Sequence, residues 1–129
     1  MRPRGDDGTA ALEFLTVAVV LFVPLVYVLL TVFAVQRAAF AVSAAAREAG
    51  RAYATAPGLD AAAPRAQAAA DLALADQLPG TPAASLTTDG DLAPGSTVRV
   101  TVTYDVELAG GLGRIPVTAT HVAPVDRYR

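Results

Sequence analysis

Phe14-Leu15-Thr16-Val17-Ala18-Val19-Val20-Leu21-Phe22-Val23-Pro24-Leu25-Val26-Tyr27-Val28-Leu29-Leu30-Thr31-Val32-Phe33-Ala34-Val35 is 22 residues without a charge. As a helix it measures about 33 Å at ~1.5 Å per residue, against a hydrocarbon core of ~30 Å. A cleavable secretory signal has a shorter apolar region, ~7–15 residues, closed by a small-residue cleavage site. The length therefore predicts an uncleaved transmembrane anchor on that side. Pro24 lies mid-span and removes the hydrogen bond to the carbonyl of Val20. Such a proline kinks a helix, and membrane helices tolerate it better than soluble ones. Immediately upstream is Glu13, the only ionisable group from Thr9 to Val35 apart from the Tyr27 phenol. An acid in hydrocarbon costs roughly 2.5–3.5 kcal/mol at a helix centre for Asp, and less near the interface. An acid kept at the mouth of a span is expected to have a partner or a task.

Composition narrows the function classes. The chain has 129 residues, enough for one domain, and 53% of them are hydrophobic, concentrated toward the N-terminal end. A net charge of −2 argues against nucleic-acid binding, for which a basic stripe is the footprint. All ten basic residues are Arg. Without Cys there is no disulfide framework, thiolate metal site or thiol nucleophile, and without Asn there is no N-glycosylation acceptor.

Beyond the span, residues 36–56 contain no Pro and only one Gly, so the helix is expected to continue to about 45 residues, or ~70 Å. Ala38, Ala41, Ala45, Ala49, Ala52 and Ala56 recur at steps of three and four as a narrow apolar stripe, which reads as a packing surface for another helix. Gln36, Arg37, Ser43, Arg47 and Arg51 lie mostly off it, with Glu48 placed to pair with Arg51. Pro57-Gly58 ends the run. A second helix is expected to start at Asp60 or Pro64 and run to Leu78. Asp60 is its N-cap, Pro64 falls in the first turn, and Leu59, Ala66, Ala70, Leu74 and Leu78 form its inner side. Pro79-Gly80-Thr81-Pro82 then breaks the chain.

The last third changes period. Val98, Val100, Val102, Tyr104, Val106 and Leu108 alternate with Thr97, Arg99, Thr101, Thr103, Asp105 and Glu107, the pattern of a half-buried antiparallel strand. Residues 109–114 form a turn and 115–122 a second strand, with Pro116 confined to its start or to a sheet edge. Residues 84–88 supply a short third strand. A sheet this small needs a helix against it. The expected fold class is α+β: a leader at 1–8, a transmembrane helix with an extension at 9–56, and a small extramembrane domain at 57–129.

Several apparent motifs carry no chemistry. Arg4-Gly5-Asp6 lies in the polar leader and is coincidence; Asp89-Gly90-Asp91 has too few acids for a calcium loop and reads as a turn. Gly110-Gly111-Leu112-Gly113 leads from strand to strand, which rules out a dinucleotide or phosphate loop. His121, the only histidine, has no second histidine, serine or acid near it in sequence and reads as a satisfied strand residue. Neither catalysis, a metal, a cofactor nor a small-molecule substrate is expected.

Three segments together carry a resemblance. Gly8-Thr9-Ala10-Ala11-Leu12-Glu13-Phe14 fits a Gly-x-x-x-x-Glu-Phe/Tyr pattern at the head of the long helix. Ala44-Ala45-Ala46-Arg47-Glu48-Ala49-Gly50-Arg51-Ala52 and the strand Val117-Thr118-Ala119-Thr120 complete it. The chain resembles type IV pilin-like proteins and, more specifically, the TadE-like family of the tight-adherence (Tad, or Flp) pilus assembly apparatus. Residues 57–95 add nothing to the resemblance. It implies a pseudopilin-like structural or assembly component whose partners are the cytoplasmic membrane, a prepilin peptidase and other pilus subunits. It also implies cleavage after Gly8, leaving Thr9 with a free α-amine, and pairing of Glu13 with the amine of a neighbouring subunit. Phe14 belongs to the recognition patch. The resemblance places the N-terminus in the cytoplasm, although Arg2 and Arg4 before the span are outnumbered by Arg37, Arg47 and Arg51 after it, which mildly opposes that orientation. The alternative is a single-pass anchored extracellular binding module that is never cleaved and gives Glu13 no role.

Overall fold

Nothing between Val35 and Ala54 interrupts the helix begun in the span, and the two segments form one element. The computed structural model describes residues 6–80 and 82–126, and in it α1 (Asp6–Ala54) is a single helix of 49 residues, about 73 Å long. It passes through Pro24 without interruption. Arg2 and Arg4, and with them most of the Arg-Gly-Asp tripeptide, lie outside the described residues. Thr55 donates its backbone N–H and its hydroxyl to the Arg51 carbonyl (3.0 and 2.8 Å), closing the last turn before Pro57-Gly58.

The chain reverses there into α2 (Leu59–Gln77), then forms β1 (Ser85–Asp89), β2 (Thr97–Glu107) and β3 (Arg114–Pro124). The strands make one antiparallel sheet in the order β1-β2-β3. The fold is the α+β arrangement expected. The C-terminal half of α1 packs against α2 and against the inner faces of β2 and β3. The register sets Val98, Val100, Val102, Tyr104 and Val106 beside Ala123, His121, Ala119, Val117 and Ile115, all on the face turned to α1. Val98, Val100, Val102 and Val106 are buried, each worth about 1.5–3 kcal/mol relative to exposure. Pro116 is the third residue of β3, an edge strand, so its missing N–H breaks no inner ladder.

Several expectations need correction. The apolar face of α1 is broader than the alanine stripe: Val42, Ala46, Tyr53 and Ala54 are buried along with Ala38, Ala41, Ala45, Ala49 and Ala56, whereas Ala52 is half-buried. Two partners, one helix and one sheet, need a wider face than one. The stripe is occupied within the chain, and the helix it contacts is α2. Glu48 and Arg51 do not pair; among the described residues the one salt bridge joins Arg114 to Glu107 at 2.9 Å. The N-cap of α2 is Gly58, not Asp60, and it makes no side-chain capping bond. Asp60 falls in the first turn and Pro64 in the second, where it leaves the Asp60 carbonyl without its helical donor. Leu59 is 59% exposed and not part of the inner side, which is the four-residue repeat Ala62, Ala66, Ala70 and Leu74, continued by Leu78.

One contact sets the distance between α1 and the sheet. A Cβ placed on Gly50 would lie 2.9 Å from His121 Cδ2 and 3.4 Å from Ala123 Cβ. Glycine inside a helix costs about 0.5–1 kcal/mol relative to alanine, and the close approach to β3 offsets that cost. Gly50→Val is therefore expected to destabilise the domain by about 1–3 kcal/mol through overpacking. Leu74→Ala should cost about 2–5 kcal/mol, while Leu59→Ala changes stability by less than about 0.5 kcal/mol. Denaturant unfolding of the detergent-solubilised chain, followed by far-UV circular dichroism, ranks the three.

Candidate functional site

The polar and apolar groups of the first 35 residues define the candidate site. Gly8, Thr9, Glu13 and Phe14 all lie within the first turns of α1 and all are exposed, Phe14 to 76%. A Cβ on Gly8 would meet nothing within 4 Å, so nothing packs closely on the helix at that position. Thr9 and Glu13 stand four residues apart on one helical face, where side chains are ≈ 5–6 Å from each other at Cβ. No hydrogen bond or ion pair to the Glu13 side chain exists among the described residues.

From Leu12 to Phe33 the large apolar side chains are almost all exposed, including Leu15, Val20, Leu21, Phe22, Val23, Leu25 and Leu30. Among the described residues nothing covers these side chains, although Val26, Tyr27 and Thr31 nearby are half-buried. α1 is long and apolar enough to cross a membrane, and it lies near the N-terminus. The hydroxyls in this region are satisfied internally: Thr16 donates to the Leu12 carbonyl at 2.8 Å and Thr31 to the Tyr27 carbonyl at 2.9 Å. In hydrocarbon each unsatisfied polar group costs several kcal/mol, so this back-bonding is what such a helix needs. The Tyr27 hydroxyl is the exception. Its oxygen is sealed from solvent and has no hydrogen-bond partner among the described residues. Beside it in the helix, Pro24 leaves the Val20 carbonyl without its usual donor. A shallow apolar groove of about 420 Å³ runs along the same stretch, lined by Ala18, Leu21, Phe22 and Leu25 among others.

The domain offers no rival centre. His121 lies half-buried on the inner face of β3, its ring against Gly50, and forms no hydrogen bond among the described residues. It packs as a spacer on the strand, and its ring nitrogens are not among the buried polar atoms left without a partner. The shallow cleft beside it is lined by Arg47, Arg51, Ala54 and Thr55. The Asp89-Gly90-Asp91 segment is the end of β1 and a bend at Gly90, and the turn proper follows at Pro94-Gly95, where Asp91 accepts from the Ala93 N–H (3.0 Å) and its carbonyl from the Ser96 hydroxyl (2.9 Å). No group of three or more His, Cys, Asp or Glu that could hold a metal ion occurs among the described residues.

Sequence reasoning missed two features. The unpartnered Tyr27 hydroxyl had no signal, since an aromatic in a span reads as an interfacial or packing residue. The Gly50–His121 approach had a partial one: a lone glycine within an alanine-rich helix marks close packing, but its partner strand depends on tertiary topology. Compared with known proteins, the chain matches no protein-family model, no curated protein and no solved structure.

Because the Tyr27 hydroxyl makes no bond among the described residues, Tyr27→Phe is expected to cost no stability in the monomer. A gain of up to about 1–3 kcal/mol is the upper bound, the penalty of a buried unsatisfied group. Thermal unfolding of both proteins in detergent, at concentrations where the chain is monomeric, makes the comparison. A clear loss would mean that the hydroxyl has a partner.

Proposed function

We propose that this chain is a pseudopilin-like, membrane-anchored structural component of a Tad-type pilus or of its secretion machinery, processed by a prepilin peptidase between Gly8 and Thr9. The observation that carries this reading is Glu13, an exposed acid whose side chain has no partner among the described residues, at the head of an apolar helix with its large side chains exposed. In a bilayer or a packed helix bundle, that carboxylate loses hydration and needs compensation.

Cleavage after Gly8 supplies it. The new α-amine of Thr9 is a cation at a helix N-terminus, where the macrodipole disfavours it and favours a carboxylate. A neighbouring subunit offset along the filament brings its Glu13 to that amine, and a charge-assisted hydrogen bond satisfies both groups. The exposed apolar faces of the two helices then cover one another. The remaining domain, closed around α1 by α2 and the sheet, stands outside the membrane as the part other subunits meet. No chemistry falls to the chain itself, and its partners are the cytoplasmic membrane, the peptidase and other pilus subunits.

Intact mass of the protein purified from membranes provides the first test. In cells carrying the peptidase the mass should equal that of a chain beginning at Thr9, and in peptidase-deficient cells or with Gly8→Ala it should retain residues 1–8. A chain beginning at Met1 in peptidase-positive cells leaves the anchored binding module as the better reading. Glu13→Ala should be cleaved normally yet lose pilus assembly and adhesion; normal assembly with both Gly8→Ala and Glu13→Ala removes the motif's role.

A further inference from the structure

The β2–β3 hairpin points back toward the apolar part of α1. At one end of the domain Gly50 meets His121 and Ala123; at the other, Arg37 and Ala38 line a cleft of about 650 Å³ with Val106, Glu107 and Arg114. From Arg37 to Gly50 the helix rises about 20 Å at ~1.5 Å per residue, and from Arg114 to His121 the strand rises about 23 Å at ~3.3 Å per residue. The two elements run nearly side by side. The connection at 108–113 therefore projects beyond Arg37 toward the uncharged helix, by up to about 10 Å at ~3.3 Å per residue. Its short helical turn, Ala109–Gly111, touches α1.

What projects there is chemically suited to lipid. Leu108-Ala109-Gly110-Gly111-Leu112-Gly113 carries no charge and no polar side chain, and Leu112 is 74% exposed. The connection at 78–84, whose Leu78, Pro79, Pro82 and Ala83 line the same cleft, is also uncharged. Arg37, exposed at the end of the apolar run, and Arg114, joined to Glu107 at 2.9 Å, mark the first cationic level. Phe40, 74% exposed three residues further along α1, supplies an aromatic at that level, as membrane–water interfaces favour.

We propose that the β2–β3 turn is a membrane-seating element. It enters the headgroup region of the leaflet from which α1 emerges, with Leu112 at the acyl boundary and Arg37 and Arg114 at the height of the lipid phosphates. The occupant of this surface is the phospholipid bilayer that holds the span, because the turn lies alongside the same helix that crosses it. The seating fixes the tilt of the domain over the membrane. It rests on α1 spanning a bilayer, but not on cleavage at Gly8 or on pilus assembly.

The chain contains no Trp, so a single introduced Trp reports its own depth. Full-length Leu112→Trp, Phe22→Trp and Thr87→Trp would each be reconstituted in phospholipid vesicles containing lipids brominated at shallow or deep acyl positions. Leu112 and Thr87 are exposed, so neither change disturbs the core. Leu112→Trp should emit to the blue of Thr87→Trp, be quenched best by the shallow bromines and be several-fold less accessible to iodide. Phe22→Trp should be quenched best by the deep bromines. If Leu112→Trp matches Thr87→Trp in emission and iodide access while Phe22→Trp is deep, the seating is wrong and the anchor stands. If Phe22→Trp is also accessible to iodide, the anchor and the seating fall together.

Discussion

The close approach of α1 to β3 at Gly50 is the constraint on which the packing of the C-terminal domain depends. The domain contains few large side chains: its fully buried residues are chiefly Ala and Val, with Leu74 the largest. Small side chains bury little area each, so stability must come from close backbone approach over a long interface. Gly50 permits that approach on the sheet side, and the alanine ridges of α1 and α2 permit it between the helices. A larger residue at Gly50 would push the sheet away from the helix and leave gaps the alanines cannot fill.

The same economy explains why one helix serves two surroundings. The first part of α1 shows its large apolar side chains on all sides, and the second presents small ones on one broad face. Leu, Val and Phe suit a setting where nothing must interlock closely, whereas Ala and Gly suit one where neighbouring backbones nearly touch. The change falls between Val35 and Ala38, within one turn, and Arg37 stands at it. No break separates the two segments, so one continuous helix carries both.

Much of this was legible in the residues. The strict alternation from Val98 to Val106 was decisive because a one-residue slip would turn every valine to solvent. The long helix was equally plain, since the absence of Pro and Gly over 36–49 left nothing to stop it. Legibility failed where a local signal was overruled by neighbours. Asp60 has the chemistry of an N-cap, but Gly58, extended at φ −173°, starts the helix earlier and draws Pro64 into its second turn. Leu59 looked like a core residue by type, yet the four-residue ridge begun at Ala62 puts it outside. The width of the buried face on α1 could not be read either, because it depends on how many elements the helix must cover.

The candidate site was legible in a different sense. Its residues could be named because an acid in an apolar context is conspicuous against its surroundings, and the helix places Thr9 and Glu13 on one face as the spacing requires. What the sequence could not show is that the Glu13 carboxylate and the Tyr27 hydroxyl make no hydrogen bond among the described residues, whereas Thr16 and Thr31 are bonded back to their own helix. A helix that satisfies its threonines internally has the means to do without polar neighbours. These two groups sit at the head and the middle of the apolar stretch. The shallow apolar groove from Ala18 to Leu25 lies between them along the helix, so the stretch's two polar groups without a bond among the described residues flank its least polar surface.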